Sequence, residues 1–396
     1  MGATTVTIAG GGLSGLMAAM TVARRGGRAV VIERRRDSGA RFHGDFQGLE
    51  NWSTSGDVIE ELGSMGVEGS FDHSPFHGCV FFDPEGREYD CRSADPLWYL
   101  VRRGTEPGTL DQALKAQAVA LGVEIEYGRA IDRLPEGGIV AHGPRHADAI
   151  AVGYVFATDR PDGAYAAVSD ELAPGGYAYL LVCRGRATLA TCMFDDFHNE
   201  RRYLDRTVEF FERRLGITPR DGTRFGGFGT TLAEPILRRG RLLFAGEAAG
   251  LQDALFGFGM RYALTSGYLA GCAWADGDLA SYERAYRHQL YPRMRAAAVN
   301  RHLYARGGHR AYQALVRRVT GAADPRAWLR RHYGGAWWTP LVYAWVRRGA
   351  RRRRHRTAGV DCHHDCDCTY CRCVRDAGRQ AAGSPEAMSR EAAGVT

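Results

Sequence analysis

The chain has 396 residues, 45% of them hydrophobic, which is enough for two domains with a sizeable core. The net charge is +7, and no run of 18 or more apolar residues occurs, which argues against a membrane-spanning helix. No basic, cleavable export signal opens the chain, so we expect a cytoplasmic protein.

The first predicted unit, residues 4–35, runs strand, glycine turn, helix and strand. Gly10, Gly12 and Gly15 fit the pattern G-x-G-x-x-G. Such glycines allow a tight turn, the approach of a pyrophosphate to the backbone, and packing of the helix on the strand. Glu33 closes the second strand, where it can accept hydrogen bonds from a ribose. The unit predicts dinucleotide binding, with FAD and NAD both open.

A polar and aromatic loop follows at residues 39–52. Loops on rigid scaffolds often carry chemistry, and histidine titrates near neutral pH. His43, with Asp45 beside it, is therefore a candidate to donate a proton to a substrate carbon. The alternative is that both side chains only hydrogen-bond the loop.

Two alternating stretches predict β-hairpins, one at residues 76–93 around a Pro-Glu-Gly turn and one at residues 175–196. Together they predict an antiparallel sheet beside the dinucleotide unit. Tyr177 and Tyr179 lie in the second hairpin. Aromatic residues are common on strands, so packing within the sheet is one explanation of both.

A second glycine turn lies within residues 246–267. A buried strand ends at Gly246 and Glu247, and Gly257 and Gly259 then open an apolar helix. The free N–H groups at a helix start favour negative charge, such as that of a reduced flavin. Two ligand-facing helix starts suit an elongated cofactor with a diphosphate at one end and a ring system at the other.

The last third is predicted to be helical to about residue 318. Residues 336–346 are apolar and rich in tryptophan, and an arginine run at 347–356 follows. This combination predicts peripheral contact with an anionic membrane surface, at the inner face of the membrane, with no role for nucleic acid. The alternative is a packed helix followed by a solvated basic tail.

Five cysteines crowd into the tail, and residues 378–396 have the composition of a disordered segment. Clustered thiolates can bind zinc or an iron–sulfur cluster, and free reduced thiols are the alternative. The candidate metal ligands are Cys362, Cys366, Cys368, Cys371 and Cys373.

The glycine-turn unit, residues 99–125 and residues 246–267 together resemble the FAD-dependent geranylgeranyl reductase family, within the flavoprotein group that includes aromatic hydroxylases. The late family motif is G-D-A-A-G, a proline-containing turn, G-x-G and A-x-x-S-G. Glu247 replaces its aspartate and Ala254 its proline. The resemblance implies FAD as cofactor, with Arg102 or Arg103 among its ligands. The expected cofactor-binding residues are Gly10, Gly12, Leu13, Ser14, Gly15, Glu33, Arg102, Arg103, Gly246, Glu247, Gly257, Gly259 and Met260.

The same resemblance implies a sheet that roofs the substrate cavity, with Trp52, Tyr177 and Tyr179 against the substrate. We therefore expect an α/β fold with a Rossmann-type FAD-binding domain, an inserted antiparallel β-sheet substrate domain and a helical C-terminal part. The expected boundaries are 1–72, 100–165 and 226–275 for the FAD-binding domain, 73–99 and 166–225 for the substrate domain, 276–356 for the helical, membrane-contacting region and 357–396 for the cysteine-rich, largely disordered tail.

The leading functional hypothesis is an FAD-dependent oxidoreductase that reduces carbon–carbon double bonds of an apolar, isoprenoid-like or lipid substrate. A flavin-dependent monooxygenase or halogenase on the same fold is the first alternative. A non-catalytic, membrane-attached metal or electron-carrier protein is the second. The electron donor stays open among NAD(P)H, ferredoxin and quinol.

Overall fold

The computed structural model describes residues 4–131, 133–144, 147–231, 234–357 and 368–369, with side chains to residue 349 and at 368–369. In chain order the strands of this part are β1 (Thr5–Ala9), β2 (Arg28–Glu33), β3 (Phe46–Glu50), β4 (His73–Phe76), β5 (Gly78–Phe82), β6 (Glu88–Arg92), β7 (Trp98–Arg102), β8 (Glu124–Tyr127), β9 (Gly138–Val140), β10 (Ala149–Ala157), β11 (Gly163–Ala167), β12 (Tyr177–Cys183), β13 (Arg186–Met193), β14 (Thr223–Gly229), β15 (Arg238–Arg239) and β16 (Leu242–Phe244).

The helices of the described part are α1 (Leu13–Arg24), α2 (Val58–Ser64), α3 (Leu110–Ala120), α4 (Glu200–Leu215), α5 (Met260–Ala275), α6 (Leu279–Gln289), α7 (Tyr291–Thr320), α8 (Pro325–Gly334) and α9 (Thr339–Thr357).

The first sheet has the order β15-β16-β9-β1-β2-β8 and is parallel except for the edge strand β15. The apolar residues of β1 and β2 pack with α1 in one buried core, as continuous apolar strands between helices do. Helix α5 packs along α1 in the same core. This layer is the predicted Rossmann-type unit, and the predicted fold class is confirmed.

A second sheet has the order β14-β10-β13-β12-β11-β5-β6. Both predicted hairpins lie in it, as β5–β6 and β12–β13. The predicted boundaries assigned residues 149–165 and 226–229 to the FAD-binding domain, whereas β10, the start of β11 and the end of β14 belong to this large sheet. The difference arises because β10 pairs along its length with β13 and β14, a tertiary pairing that a local pattern does not reveal.

The strands β3, β7 and β4 form a small antiparallel sheet. The C-terminal helices then pack against the body. Helix α7 is broken at Gly308, whose φ of 50° and ψ of −140° are not helical. The part of α7 after this break, together with α8, joins a buried cluster with Trp52, Leu97 and Val168. Among the described helices, none combines the length and hydrophobicity needed to cross a membrane.

Candidate active site

One cavity of about 440 Å³ contains most of the predicted site residues. It begins at the first glycine turn, passes the loop after β2 and the second glycine turn, and ends in a chamber under the large sheet. The fold therefore places the two glycine turns, which are distant in sequence, at the same cavity.

The first glycine turn has the tight geometry that its sequence predicts. Gly10 has a φ of +113°, and a Cβ atom there would lie 2.4 Å from the carbonyl oxygen of Ala141. A Cβ at Gly15 would lie 1.9 Å from the carbonyl oxygen of Gly10. At Gly12, by contrast, no atom lies within 4 Å of the added Cβ, and no side chain caps α1 there. The N–H groups at the start of α1 thus face cavity space that can accept a phosphate.

Glu33, at the end of β2, lines the cavity next to this turn. Its Oε2 accepts a hydrogen bond from Gly11 N (2.7 Å), and its Oε1 accepts one from Arg35 N (2.8 Å). The carboxylate is therefore held beside the helix start, where the ribose of a bound dinucleotide is expected.

The two candidate arginines have different surroundings in the structure. Arg103 lines the cavity, and its guanidinium forms two 2.8 Å hydrogen bonds with the buried carboxylate of Asp111. Its charged end also lies 4.0 Å from the ring centre of Phe42. Arg102 instead pairs with Asp72 and with Glu106, and it is not among the cavity-lining residues. Of the two arginines, only Arg103 therefore lines the cavity, and its contact with FAD stays a prediction.

The second glycine turn packs directly on the first. Gly246 N donates to Ser266 Oγ (2.8 Å), and a Cβ at Gly246 would lie 2.7 Å from Ser14 Oγ. Glu247 lines the cavity and pairs with Arg41 at 2.9 Å, from Nη1 to Oε2. The longer carboxylate that replaces the family's aspartate is thus held by an arginine of the loop after β2.

Phe258, between Gly257 and Gly259, packs against neighbouring aromatic and strand residues. Phe258 packs against β3, where a Cβ at Gly48 would lie 2.5 Å from its ring. Its ring centre lies 4.9 Å from that of Trp52, edge to face. Gly259 and Met260 begin α5 without a side-chain cap and line the cavity. A second uncapped helix start therefore points at the same space as the first.

His43 and Asp45 both line the cavity, and they differ in exposure. The His43 side chain is exposed, whereas Asp45 is 3% exposed. Asp45 Oδ1 accepts from His43 N (3.0 Å), and Oδ2 accepts from Gln47 Nε2 (2.9 Å). These bonds hold the loop in shape. A proton-donating role for His43 remains a prediction.

The chamber beyond the glycine turns is apolar. Trp52, Tyr177 and Tyr179 line it, and Tyr177 donates its hydroxyl to the carbonyl oxygen of Phe256 (2.6 Å). The remaining chamber residues come from the large sheet, the small sheet and the C-terminal helices, and are Cys79, Phe81, Cys91, Leu97, Trp98, Leu100, Tyr165, Ala166, Val168, Leu181, Cys192, Leu315, Val316, Val319 and Leu329.

Burial keeps three cysteines and two tyrosines of the chamber neutral. Burial raises the pKa of Cys192 to about 12 and that of Cys91 to about 11. Burial also raises the pKa values of Tyr177, Tyr179 and Cys79 well above their ordinary range. Because thiols and phenols are uncharged below their pKa, these five side chains carry no charge at neutral pH. Such a lining favours an apolar guest.

The predicted metal ligands lie mostly outside the described residues, as Cys362, Cys366, Cys371 and Cys373 do. Cys368 is described and buried, with its Sγ 3.8 Å from Nδ1 of His198. The described part of the chain holds no cluster of three or more side chains that could bind a metal ion. Zinc or iron–sulfur binding therefore has no support from the described residues.

Residues 3–64 match the FAD binding domain family. This chain has the fold of the FAD-dependent flavoproteins. A geranylgeranyl bacteriochlorophyll reductase-like protein from Thermoplasma acidophilum superposes with a TM-score of 0.68 at 19% identity, over 87% of this chain and 99% of that one.

Halogenating flavoproteins share the fold. The flavin-dependent brominase Bmp2 gives a TM-score of 0.57 at 18% identity, over 89% of this chain and 100% of that one. The flavin-dependent halogenase CmlS gives 0.54 at 15% identity, over 96% and 78%. No curated protein sequence matches the chain. The prediction of an FAD-dependent oxidoreductase is confirmed at this coarse level, and the flavoprotein fold is common to more than one reaction.

Several cavity residues were not anticipated from the sequence. Gln252 and Phe258 lie within the second glycine turn, where only the glycines carry a recognisable pattern. In β5 the alternation of Cys79 and Phe81 does indicate one shared face, which proves to be the chamber face. The helical wall from Leu315 to Leu329 had no such signal, because its position depends on how the chain returns to the body.

Proposed function

We propose that this flavoprotein reduces carbon–carbon double bonds of an apolar, isoprenoid-like substrate bound in the chamber. The observation that carries the proposal is that one cavity is lined both by the Gly12 helix start and by the apolar chamber residues up to Leu329. An apolar chain placed there loses little hydrogen bonding on leaving water and gains the free energy of apolar burial.

FAD would lie along the first part of the cavity. The chain holds for it the open space at Gly12, the carboxylate of Glu33, Arg103 and the uncapped start of α5 at Gly259. When bound, FAD supplies the hydride chemistry. Burial keeps Tyr179 and Cys192 protonated in the chamber, so these side chains place no charge beside an apolar substrate.

Monooxygenation or halogenation on the same fold is the second candidate, favoured by the superposition with a brominase and a halogenase. A reductase needs a reduced cofactor and no oxygen, whereas both alternatives consume oxygen. The electron donor, NAD(P)H, ferredoxin or quinol, is left open, and a metal in the cysteine-rich tail has no part in this proposal.

The experiment uses purified flavin-loaded protein, reduced chemically without oxygen and mixed with a geranylgeranyl lipid. Mass spectrometry should show a gain of two hydrogen atoms per reduced double bond. Ala166→Leu, which narrows the chamber, should lower this activity while FAD content stays unchanged. Product that forms only with oxygen and contains oxygen or bromine would contradict the reductase proposal and support the second candidate.

A further inference from the structure

We propose that α9 and the turn before it dock the protein on an anionic lipid surface. Five large apolar side chains are exposed in the described part of the chain, and three of them fall within nine residues. Trp337 is 87% exposed, Leu341 71% and Trp345 54%. Leu341 and Trp345, four residues apart, share one side of α9, and Trp337 lies in the turn before it.

The opposite side of α9 is fixed to the body. Tyr343 is buried, with its ring centre 6.0 Å from that of Tyr291 in α7. Arg347 forms a 2.7 Å ion pair with Glu234. Tyr343 thus faces the body, and Arg347 reaches it through its ion pair, so Leu341 is turned outward. Trp345 remains 54% exposed, although its ring contacts that of His302 in α7 at 4.7 Å between centres. The exposure of the stripe therefore follows from how α9 is anchored.

The sequence that carries the stripe is basic, although Arg326 is buried against the body and Arg347 is paired with Glu234. Residues 325–360 contain ten arginines and no aspartate or glutamate. Indole rings favour the membrane interface, and arginines beside them favour anionic headgroups. A second copy of the chain would bring an equal arginine run against this one, and like charges repel. A nucleic acid would attract the arginines but would not bury Leu341. An anionic lipid surface would both bury the apolar stripe and attract the arginines.

The exposed stripe of Trp337, Leu341 and Trp345 follows closely in the chain on a residue of the chamber wall. Leu329 of α8 lines the chamber, and α9 begins five residues after α8 ends. If the substrate is a lipid, which rests on the proposed function, the surface that binds α9 also contains the substrate. The docking itself does not require that function.

The test measures co-sedimentation of the full-length, flavin-loaded protein with phosphatidylcholine vesicles, with and without phosphatidylglycerol. We expect binding only to the anionic vesicles, weakened by salt. Trp337→Ser with Leu341→Ser should lower the partition coefficient at least about tenfold. Arg348→Ser and Arg351→Ser should each lower it about fivefold at low salt. Val119→Ser removes a 56% exposed apolar side chain of α3, away from the stripe, and should change nothing.

Equal binding to neutral and anionic vesicles, or no effect of the double serine variant, would overturn the proposal. A variant-dependent change of oligomeric state without vesicles would instead assign the stripe to a second copy of the chain. Because the assay contains no substrate, its failure leaves the proposed reaction untouched, and absence of the reaction leaves vesicle binding untouched.

Discussion

The backbone oxygen of Ser14 lies 2.3 Å from the point where a Cβ atom at Gly267 would sit. Helices α1 and α5 therefore touch backbone to backbone, directly behind the two glycine turns. This contact holds both ends of the predicted cofactor site at a fixed separation.

Gly267→Ala should destabilise the protein by about 1–3 kcal/mol, because the added methyl group forces α5 away from α1. Gly63 of α2 offers a matched control, since no atom lies within 4 Å of a Cβ added there. Gly63→Ala should leave stability unchanged or raise it by up to about 1 kcal/mol. Urea unfolding of both variants measures the difference, and equal midpoints would contradict the close contact.

Gly12→Ala should weaken FAD binding without unfolding the apoprotein. The new methyl group enters open cavity space at the start of α1, where the pyrophosphate is expected, at a cost of about 1–3 kcal/mol of binding free energy. Gly69→Ala, also free of neighbours within 4 Å, serves as the control. Flavin fluorescence titration gives both affinities. Unchanged FAD affinity in Gly12→Ala would show that the cofactor does not bind at this helix start.

Arg103→Met should cost about 3–5 kcal/mol of stability, because it leaves the carboxylate of Asp111 buried without its partner. Arg102→Met breaks pairs with Asp72 and Glu106, whose side chains are 46% and 45% exposed, and should cost about 1 kcal/mol or less. Denaturant unfolding of the two apoproteins compares them. A larger loss for Arg102→Met would show that the buried pair is not the stronger one.

Alkali should destabilise the protein partly through Cys192. Its pKa is 9.0 in an ordinary environment and about 12 in the folded protein, because burial disfavours the thiolate. A raised folded pKa gives stability that is complete below about pH 9 and is lost toward pH 12, at about 1.4 kcal/mol per pH unit. Cys192→Ala should remove the part of this pH dependence that Cys192 contributes. The substitution can also lower the free energy of unfolding at neutral pH, but by an amount that does not vary with pH. Unfolding midpoints between pH 8 and 10.5 test this, and identical slopes would refute it.

The sequence was sufficient for the parts of the site that depend on local geometry. The turns at Gly10 and Gly259 and the hairpins around Tyr177 follow from glycine placement and alternation, and the structure has them as predicted. The sequence could not decide between Arg102, the last residue of β7, and Arg103, which follows it, because only tertiary packing shows which of two neighbouring side chains meets the cavity. The placement of β10 in the large sheet and of Val316 in the chamber wall depended on long-range contacts in the same way.

The break of α7 at Gly308 has a consequence for synthesis. The strands and helix starts around the expected cofactor are complete once Met260 has been made, whereas the chamber gains its last wall only after Leu329. Because chains emerge from the ribosome N-terminus first, the cofactor domain can fold while the chamber still lacks its helical side. Until the segment after Gly308 has been made, the cluster around Trp52 lacks its contacts with Tyr312, Val316 and Leu329.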